Sequence, residues 1–118
     1  MDKEELQSRT KQFALRVMRL AQALPKTPEG RVIAGQLLRA GTSVGANYRA
    51  ACRARSRADF AAKLAIAEEE ADESAYWMEL VLGAKLMADH LVEPLLKENN
   101  ELVAIITAAR KTTQRGRT

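Results

Sequence analysis

Four arginines lie close together near the middle of the chain: Arg49, Arg53, Arg55 and Arg57. The guanidinium group is a planar fork of N–H donors that matches the oxygens of a phosphate, which suits it better to phosphate binding than a lysine ammonium. Asp59 is the only acid between residues 31 and 63, a stretch that holds seven Lys and Arg residues. The segment therefore predicts binding of a phosphate-bearing ligand, and of nucleic acid in particular.

A second basic segment lies near the end of the chain, at Arg110, Lys111, Arg115 and Arg117. In an antiparallel four-helix bundle, the second-to-third turn and the end of the fourth helix lie at the same end of the molecule. We expect Lys63, Arg110 and Lys111 to assist the four central arginines there. Arg115 and Arg117 are expected to lie at that end too.

Acidic residues dominate the stretch from residue 64 to residue 101, with ten Asp and Glu against two lysines. The group Glu68, Glu69, Glu70, Asp72 and Glu73 is interpreted as a solvated helix face rather than a carboxylate site. Because a helical hairpin places Arg39 roughly level with Asp72 and Glu73, we predict that Arg39 pairs with these acids.

Residues for catalysis or metal binding are scarce. His90 is the single histidine and Cys52 the single cysteine, and two such residues are too few for a zinc site. A di-iron site needs Glu-x-x-His pairs, and the position three residues before His90 holds Met87 and not a glutamate. No serine or cysteine has a local histidine partner, and Gly41 to Gly45 lacks the lysine of a phosphate-binding loop. We predict no enzyme activity, no catalytic residue, no metal and no cofactor. A minor alternative is a ribonuclease that depends on His90. Some helical-bundle ribonucleases have an arginine a few residues before the histidine, and the nearest match here has a lysine, Lys85, in that role.

The elements that position these residues are helices. The chain of 118 residues is rich in Ala and Leu and poor in aromatics, which favours one all-α domain over residues 1–111. Residues 112–118 are expected to form a frayed, basic polar tail. Apolar periodicity predicts four helices in an antiparallel up-down-up-down bundle, with a possible break near Thr42 and Ser43. The predicted spans are about Leu6 to Leu24, Pro28 to Arg53, Ser56 or Asp59 to Met87, and Pro94 to Lys111. We predict Thr27 as the N-cap of the second helix and Ser56 or Asp59 as the N-cap of the third. No apolar run is long enough to span a membrane, and we expect a cytoplasmic protein.

The third predicted helix has a second apolar stripe besides the one that faces the core: Ile66, Trp77, Leu80 and Ala84. A helix of a monomeric bundle needs one apolar face. The second stripe predicts a contact with another subunit. The alternative is that the first helix or the tail covers Trp77.

The segments Gln36 to Leu64, Glu70 to Glu73 and Tyr76-Trp77 resemble the bacterial four-helix-bundle family first noticed as reading frames within 23S rRNA intervening sequences. This family is related to the accessory proteins of diversity-generating retroelements, which are basic pentamers that bind a reverse transcriptase and nucleic acid. The resemblance implies a cytoplasmic four-helix bundle, a homopentamer and an RNA- or DNA-binding role. It implies no catalytic residues.

The function expected from these observations is a non-enzymatic oligomeric adaptor that binds nucleic acid, above all RNA, through its arginine-rich end. The alternative is a homo-oligomeric scaffold that binds a protein partner and no nucleic acid.

Overall fold

Four α-helices form the bundle in the computed structural model, which describes residues 1–116. Helix α2 packs against α1 and α3, α3 also packs against α4, and α1 and α4 meet over a smaller area. The predicted antiparallel up-down-up-down topology is confirmed, and the bundle is 50 Å long and about 20 Å across. The helices are α1 (Lys3–Ala23), α2 (Pro28–Cys52), α3 (Arg57–Gly83) and α4 (Glu93–Arg115), with a short 3₁₀ turn at Asp89–Leu91 before α4.

The starts of the first three helices are fixed by side-chain caps. Asp2, Thr27 and Ser56 each accept a hydrogen bond from a backbone N–H three residues later, at 2.8, 3.1 and 3.0 Å. These bonds satisfy donors that have no partner within the helix. The predicted cap at Thr27 is confirmed, and of the two caps offered for the third helix, Ser56 and Asp59, the structure shows Ser56.

Helix α2 is continuous through Thr42 and Ser43, so the possible break there does not occur. Both hydroxyls donate to carbonyls of the preceding turn, Thr42 to Leu38 at 2.7 Å and Ser43 to Arg39 at 2.7 Å. The glycines on either side serve helix packing instead. A Cβ at Gly41 would lie 2.7 Å from Val17 Cγ1, and one at Gly45 would lie 3.2 Å from Thr10 Oγ1, so their absence lets α1 approach α2 closely.

Helix α3 ends at Gly83, earlier than the predicted end near Met87. Lys85 adopts the left-handed conformation with φ of 57°. The backbone N–H of Leu86 donates to Val81 O at 3.0 Å and that of Lys85 to Leu82 O at 3.2 Å, which is the Schellman pattern. Glycine normally occupies the left-handed position of this motif, and here a lysine does, so the sequence carried no clear stop signal.

The core runs along the bundle axis and consists of aliphatic side chains with a few larger ones. Three polar residues are buried as well: Thr10, Ser74 and Asn99. Asn99 Nδ2 donates to Ala71 O at 2.9 Å, while its Oδ1 has no hydrogen-bond partner within residues 1–116. The largest fully buried side chains of the apolar core are Phe13, Leu24, Leu37, Leu64, Met78, Leu102 and Ile106.

Candidate nucleic-acid interface

The two basic segments meet at one end of the bundle. Arg57, in the first turn of α3, donates a hydrogen bond to the carbonyl oxygen of Gly116, just beyond α4. This contact places the end of α4 beside the turn between α2 and α3. We call this end the basic pole and define it by the predicted site residues Arg49, Arg53, Arg55, Arg57, Lys63, Arg110 and Lys111. Arg117 lies outside the described residues.

Three arginines of the basic pole have neither an ion-pair partner nor a side-chain hydrogen bond among residues 1–116: Arg49, Arg53 and Arg55. All three are exposed. Arg49 lies in the last turn of α2 and Arg53 directly follows the helix, four residues later, so their guanidinium groups share one side of its end. An exposed arginine without an acidic neighbour keeps its full capacity to bind an anion.

Two other cations of the pole are paired. Lys63 Nζ lies 3.2 Å from Asp59 Oδ1, one turn earlier on α3. Arg110 Nε lies 2.5 Å from Glu68 Oε1, and its Nη1 donates to Gln114 Oε1 at 2.9 Å. The hydrogen bond to Glu68 raises the pKa of Arg110, and the same bond lowers the pKa of Glu68. Arg110 thus joins α4 to α3 and is held away from other anions.

The basic pole also contains acids that reasoning from the central segment missed. The first turn of α1 lies beside the end of α2, and it carries Glu4 and Glu5 after the cap Asp2. Burial raises the pKa of the Tyr48 phenol, with further increases from the Cys52 side chain and from the charges of Glu4 and Asp2. Antiparallel topology, which we applied to α4, would have predicted this placement for the start of α1.

A groove of about 620 Å³ runs between α1 and α2 at the basic pole. Glu4 and Lys11 line it from α1, and Arg49 and Arg53 line it from α2. The groove therefore presents both signs of charge, with small side chains such as Ala46 between them.

The predicted pairing of Arg39 with acids on α3 is confirmed for Glu73, and Glu70 takes the place expected for Asp72. Arg39 Nη1 lies 3.0 Å from Glu70 Oε2, and Nη2 binds Glu73 Oε2. The indole Nε1 of Trp77 donates to the same Glu73 oxygen at 2.9 Å. The hydrogen bonds from Trp77 and then Arg39 lower the pKa of Glu73, so this carboxylate remains ionised and fixes the indole.

The predicted oligomer interface lies on the side of α3 that faces away from the core, and we call it the outer α3 face. Its members are Ile66, Trp77, Leu80 and Ala84. Ile66 is 42% exposed and Ala84 is exposed, whereas Trp77 and Leu80 are half-buried and pack partly on the core. The neighbouring Tyr76 is 53% exposed and meets the Trp77 ring edge-on, with centroids 5.2 Å apart. The sequence pattern missed Tyr76 because it lies beside the stripe.

His90 lies in the 3₁₀ turn between α3 and α4, at the end of the bundle opposite the basic pole. Within residues 1–116, no group of three His, Cys, Asp or Glu side chains could hold a metal ion. No helix in the same part of the chain is long and apolar enough to cross a membrane.

Comparison with known proteins gives a family and a close structural relative, and no curated protein matches the chain. The relative is a protein of unknown function from the S23 ribosomal protein family of Bacteroides thetaiotaomicron VPI-5482, whose crystal structure is known. The two share 34% identity and superpose with a TM-score of 0.86 over 94% of this chain and 99% of the other. The sequence profile for the 23S rRNA-intervening sequence protein matches residues 3–108. The chain therefore belongs to the family of 23S rRNA-intervening sequence proteins.

Proposed function

We propose that this protein is a non-enzymatic, homo-oligomeric adaptor that binds nucleic acid, and RNA in particular, through repeated copies of its basic pole. The observation that carries the proposal is the set of three exposed arginines, Arg49, Arg53 and Arg55, whose side chains have neither an ion pair nor a hydrogen bond in the described part of the chain. Arg57, Lys63 and Lys111 surround them as weaker contacts. Arg110 contributes indirectly, because its bond to Glu68 holds α4 in place.

RNA is the ligand class to test first for two reasons. Guanidinium groups bind phosphate oxygens, and the family to which the chain belongs is named for a 23S rRNA intervening sequence. No aromatic side chain belongs to the basic pole, so contacts to the backbone dominate and sequence preference is slight. Phosphate contacts release condensed counterions, so affinity falls steeply as salt rises.

Oligomer formation brings several copies of the basic pole to one RNA molecule. One subunit offers few free arginines, but several copies that bind one RNA gain affinity through avidity. The outer α3 face is the surface we assign to the subunit contact, because Ile66 is exposed there and Trp77 is held by Glu73. The family resemblance implies five subunits in a ring.

Catalysis forms no part of the proposal. His90 lies at the opposite end of the bundle from the basic pole, and α3, which runs between the two ends, spans about 40 Å. A general base must lie within hydrogen-bonding reach of the group it deprotonates, so an RNA held at the pole would not meet His90 of the same subunit.

Light scattering coupled to size exclusion tests the proposal, with a structured RNA added at low and at moderate salt. We expect an oligomer that binds RNA at low salt and releases it as salt rises. The double variant Arg49→Glu/Arg53→Glu should keep the oligomer and lose the RNA. The matched control is Arg19→Glu/Arg31→Glu, which changes the same charge at exposed positions near the other end of the bundle and should retain RNA. Equal loss in both variants would indicate a general charge effect and contradict the proposal.

A protein-binding scaffold is the second candidate, and the mixed charge of the pole favours it. Glu4 lies in the same groove as Arg49 and Arg53, and complementary charges of both signs suit a protein surface. In that case Arg53→Glu/Arg55→Glu would disturb assembly or partner binding, and RNA would have no effect at any salt. Under the first proposal the same variant forms intact oligomers that no longer bind RNA.

A further inference from the structure

The groove between α1 and α2 has a feature that binding of a phosphate backbone does not explain. Its volume of about 620 Å³ falls in the usual range of small-ligand sites, about 300 to 1,000 Å³. Arg49 and Arg53 line one side, and the other side carries Glu4 as well as Lys11. A carboxylate repels a phosphodiester. A groove that served only the backbone would be better without it.

Polar side chains on α1 are available to a ligand in this groove. Gln7 and Ser8 both line it, and in the part of the chain that the structure describes neither side chain makes a hydrogen bond. By contrast, the hydroxyls of Thr10 and Thr42 donate to helix carbonyls, at 3.0 and 2.7 Å. The free groups therefore lie on one wall, next to Glu4, and the arginines lie on the other.

The floor between these walls is narrow and fixed. Thr10 is 1% exposed, and a Cβ on Gly45 would lie 3.2 Å from its Oγ1, so α1 and α2 are in close contact below the groove. Ala14 and Ala46 add small apolar surfaces. The floor between the two walls therefore consists of small side chains.

We infer that this groove binds one unpaired ribonucleotide of an RNA strand, an inference that rests on the proposed function. Arg49 and Arg53 hold its phosphate, and a guanidinium plane also stacks on the base. Glu4 accepts a hydrogen bond from an exocyclic amino group of the base. Cytosine, adenine and guanine carry such a group, and uracil does not. The site therefore discriminates against uracil at a single unpaired position, while the rest of the pole binds backbone.

Fluorescence anisotropy with labelled RNA tests this inference, using oligo-C, oligo-A, oligo-U and a blunt RNA duplex at one salt concentration. The wild-type protein should bind oligo-C and oligo-A roughly tenfold more tightly than oligo-U, the scale of one good base contact. Glu4→Gln exchanges the charged acceptor for a weaker, neutral one and adds an amide donor that suits the O4 acceptor of uracil, so this variant should bind all three single strands with similar affinity. Glu5→Gln is the matched control, because it removes the same charge from the same turn but does not line the groove. It should keep the preference.

Two results would overturn the inference and leave the proposed function in place. In the first, the wild-type protein binds oligo-U as well as oligo-C. In the second, Glu4→Gln and Glu5→Gln shift every affinity equally, which would be a charge effect alone. If a free mononucleotide bound as tightly as the oligonucleotides, the ligand of this groove would be a small nucleotide and not an RNA strand. Failure of every RNA to bind at any salt would instead reject the proposed function itself.

Discussion

Arg110 of α4 and Glu68 of α3 form a two-point contact, with Nε 2.5 Å from Oε1 and Nη2 3.4 Å from Oε2. Both side chains are partly buried, at 21% and 24% exposure. By charge and position Arg110 belongs to the basic pole, yet its partner neutralises it. Arg53, with no such partner, is the better candidate for a phosphate contact.

Replacing Arg110 by alanine should therefore lower stability more than it lowers RNA affinity. The change removes the contact between α4 and α3 and leaves Glu68 without its cation, so Tm should fall. Arg53→Ala is the matched variant, and it should reduce RNA affinity with little change in Tm. Thermal unfolding and RNA titration of both variants check this. A larger loss of RNA binding in Arg110→Ala than in Arg53→Ala would show that Arg110 contacts the ligand directly.

Acid should weaken the bundle through Glu68 and Glu73. Hydrogen bonds to Arg110 and to Trp77 and Arg39, respectively, lower the pKa of each carboxyl below its ordinary value of 4.5. The unfolded chain therefore takes up protons at a higher pH than the folded one. The stabilisation is fully present above pH 4.5 and is lost as the pH falls through the lowered pKa values.

Denaturant titrations between pH 7 and pH 3 measure this effect. Glu68→Gln/Glu73→Gln should be less stable than the wild type at pH 7 and should lose less free energy of unfolding on acidification. Glu69→Gln/Glu79→Gln is the control, because both residues lie exposed on α3 without an ion pair in the described part of the chain. If both double variants keep the wild-type dependence on acid, other groups cause it.

Two glycines of α2 should respond in opposite ways to alanine. A Cβ at Gly41 would lie 2.7 and 2.8 Å from the two Cγ atoms of Val17, whereas a Cβ at Gly35 would meet nothing within 4 Å. Gly41→Ala should force α1 and α2 apart and cost about 1 to 3 kcal/mol. Gly35→Ala should gain up to about 1 kcal/mol, because alanine favours the helix. Denaturant unfolding of both variants measures the difference, and a neutral Gly41→Ala would mean that Val17 moves freely.

Much of the fold could be predicted because its signals are local. The caps at Thr27 and Ser56 and the apolar periodicity depend on residues within one or two turns. The pairing of Arg39 with Glu73 needed one further step, since a hairpin fixes which levels of two helices meet. The end of α3 could not be predicted in this way, because Lys85 takes a left-handed position without being a glycine.

The composition of the basic pole was harder to predict than the fold. Antiparallel topology correctly brought the end of α4 to Arg57, and the same topology brings the start of α1 to Arg49. The acids there were overlooked because Glu4 and Glu5 are ordinary first-turn residues that favour the helix dipole. The neutralisation of Arg110 depends on side-chain reach across two helices, which helical periodicity alone does not reveal.

The outer α3 face gives the last prediction. Ile66 is 42% exposed and has no structural task in the isolated bundle, so a polar residue there should leave the fold intact. Under the proposed assembly, Ile66→Asp places a charge in the subunit contact, and burying that charge without a partner is costly. We expect the oligomer to dissociate while the helical circular dichroism remains. Leu91→Asp is the matched control, since Leu91 is 55% exposed and lies in the 3₁₀ turn away from this face. Light scattering over a dilution series compares the two. An oligomer that survives Ile66→Asp would assign the subunit contact to another surface.

A dissociated Ile66→Asp protein should also bind RNA more weakly than the wild type. Every arginine of the basic pole is still present in it, but the avidity of several linked copies is lost.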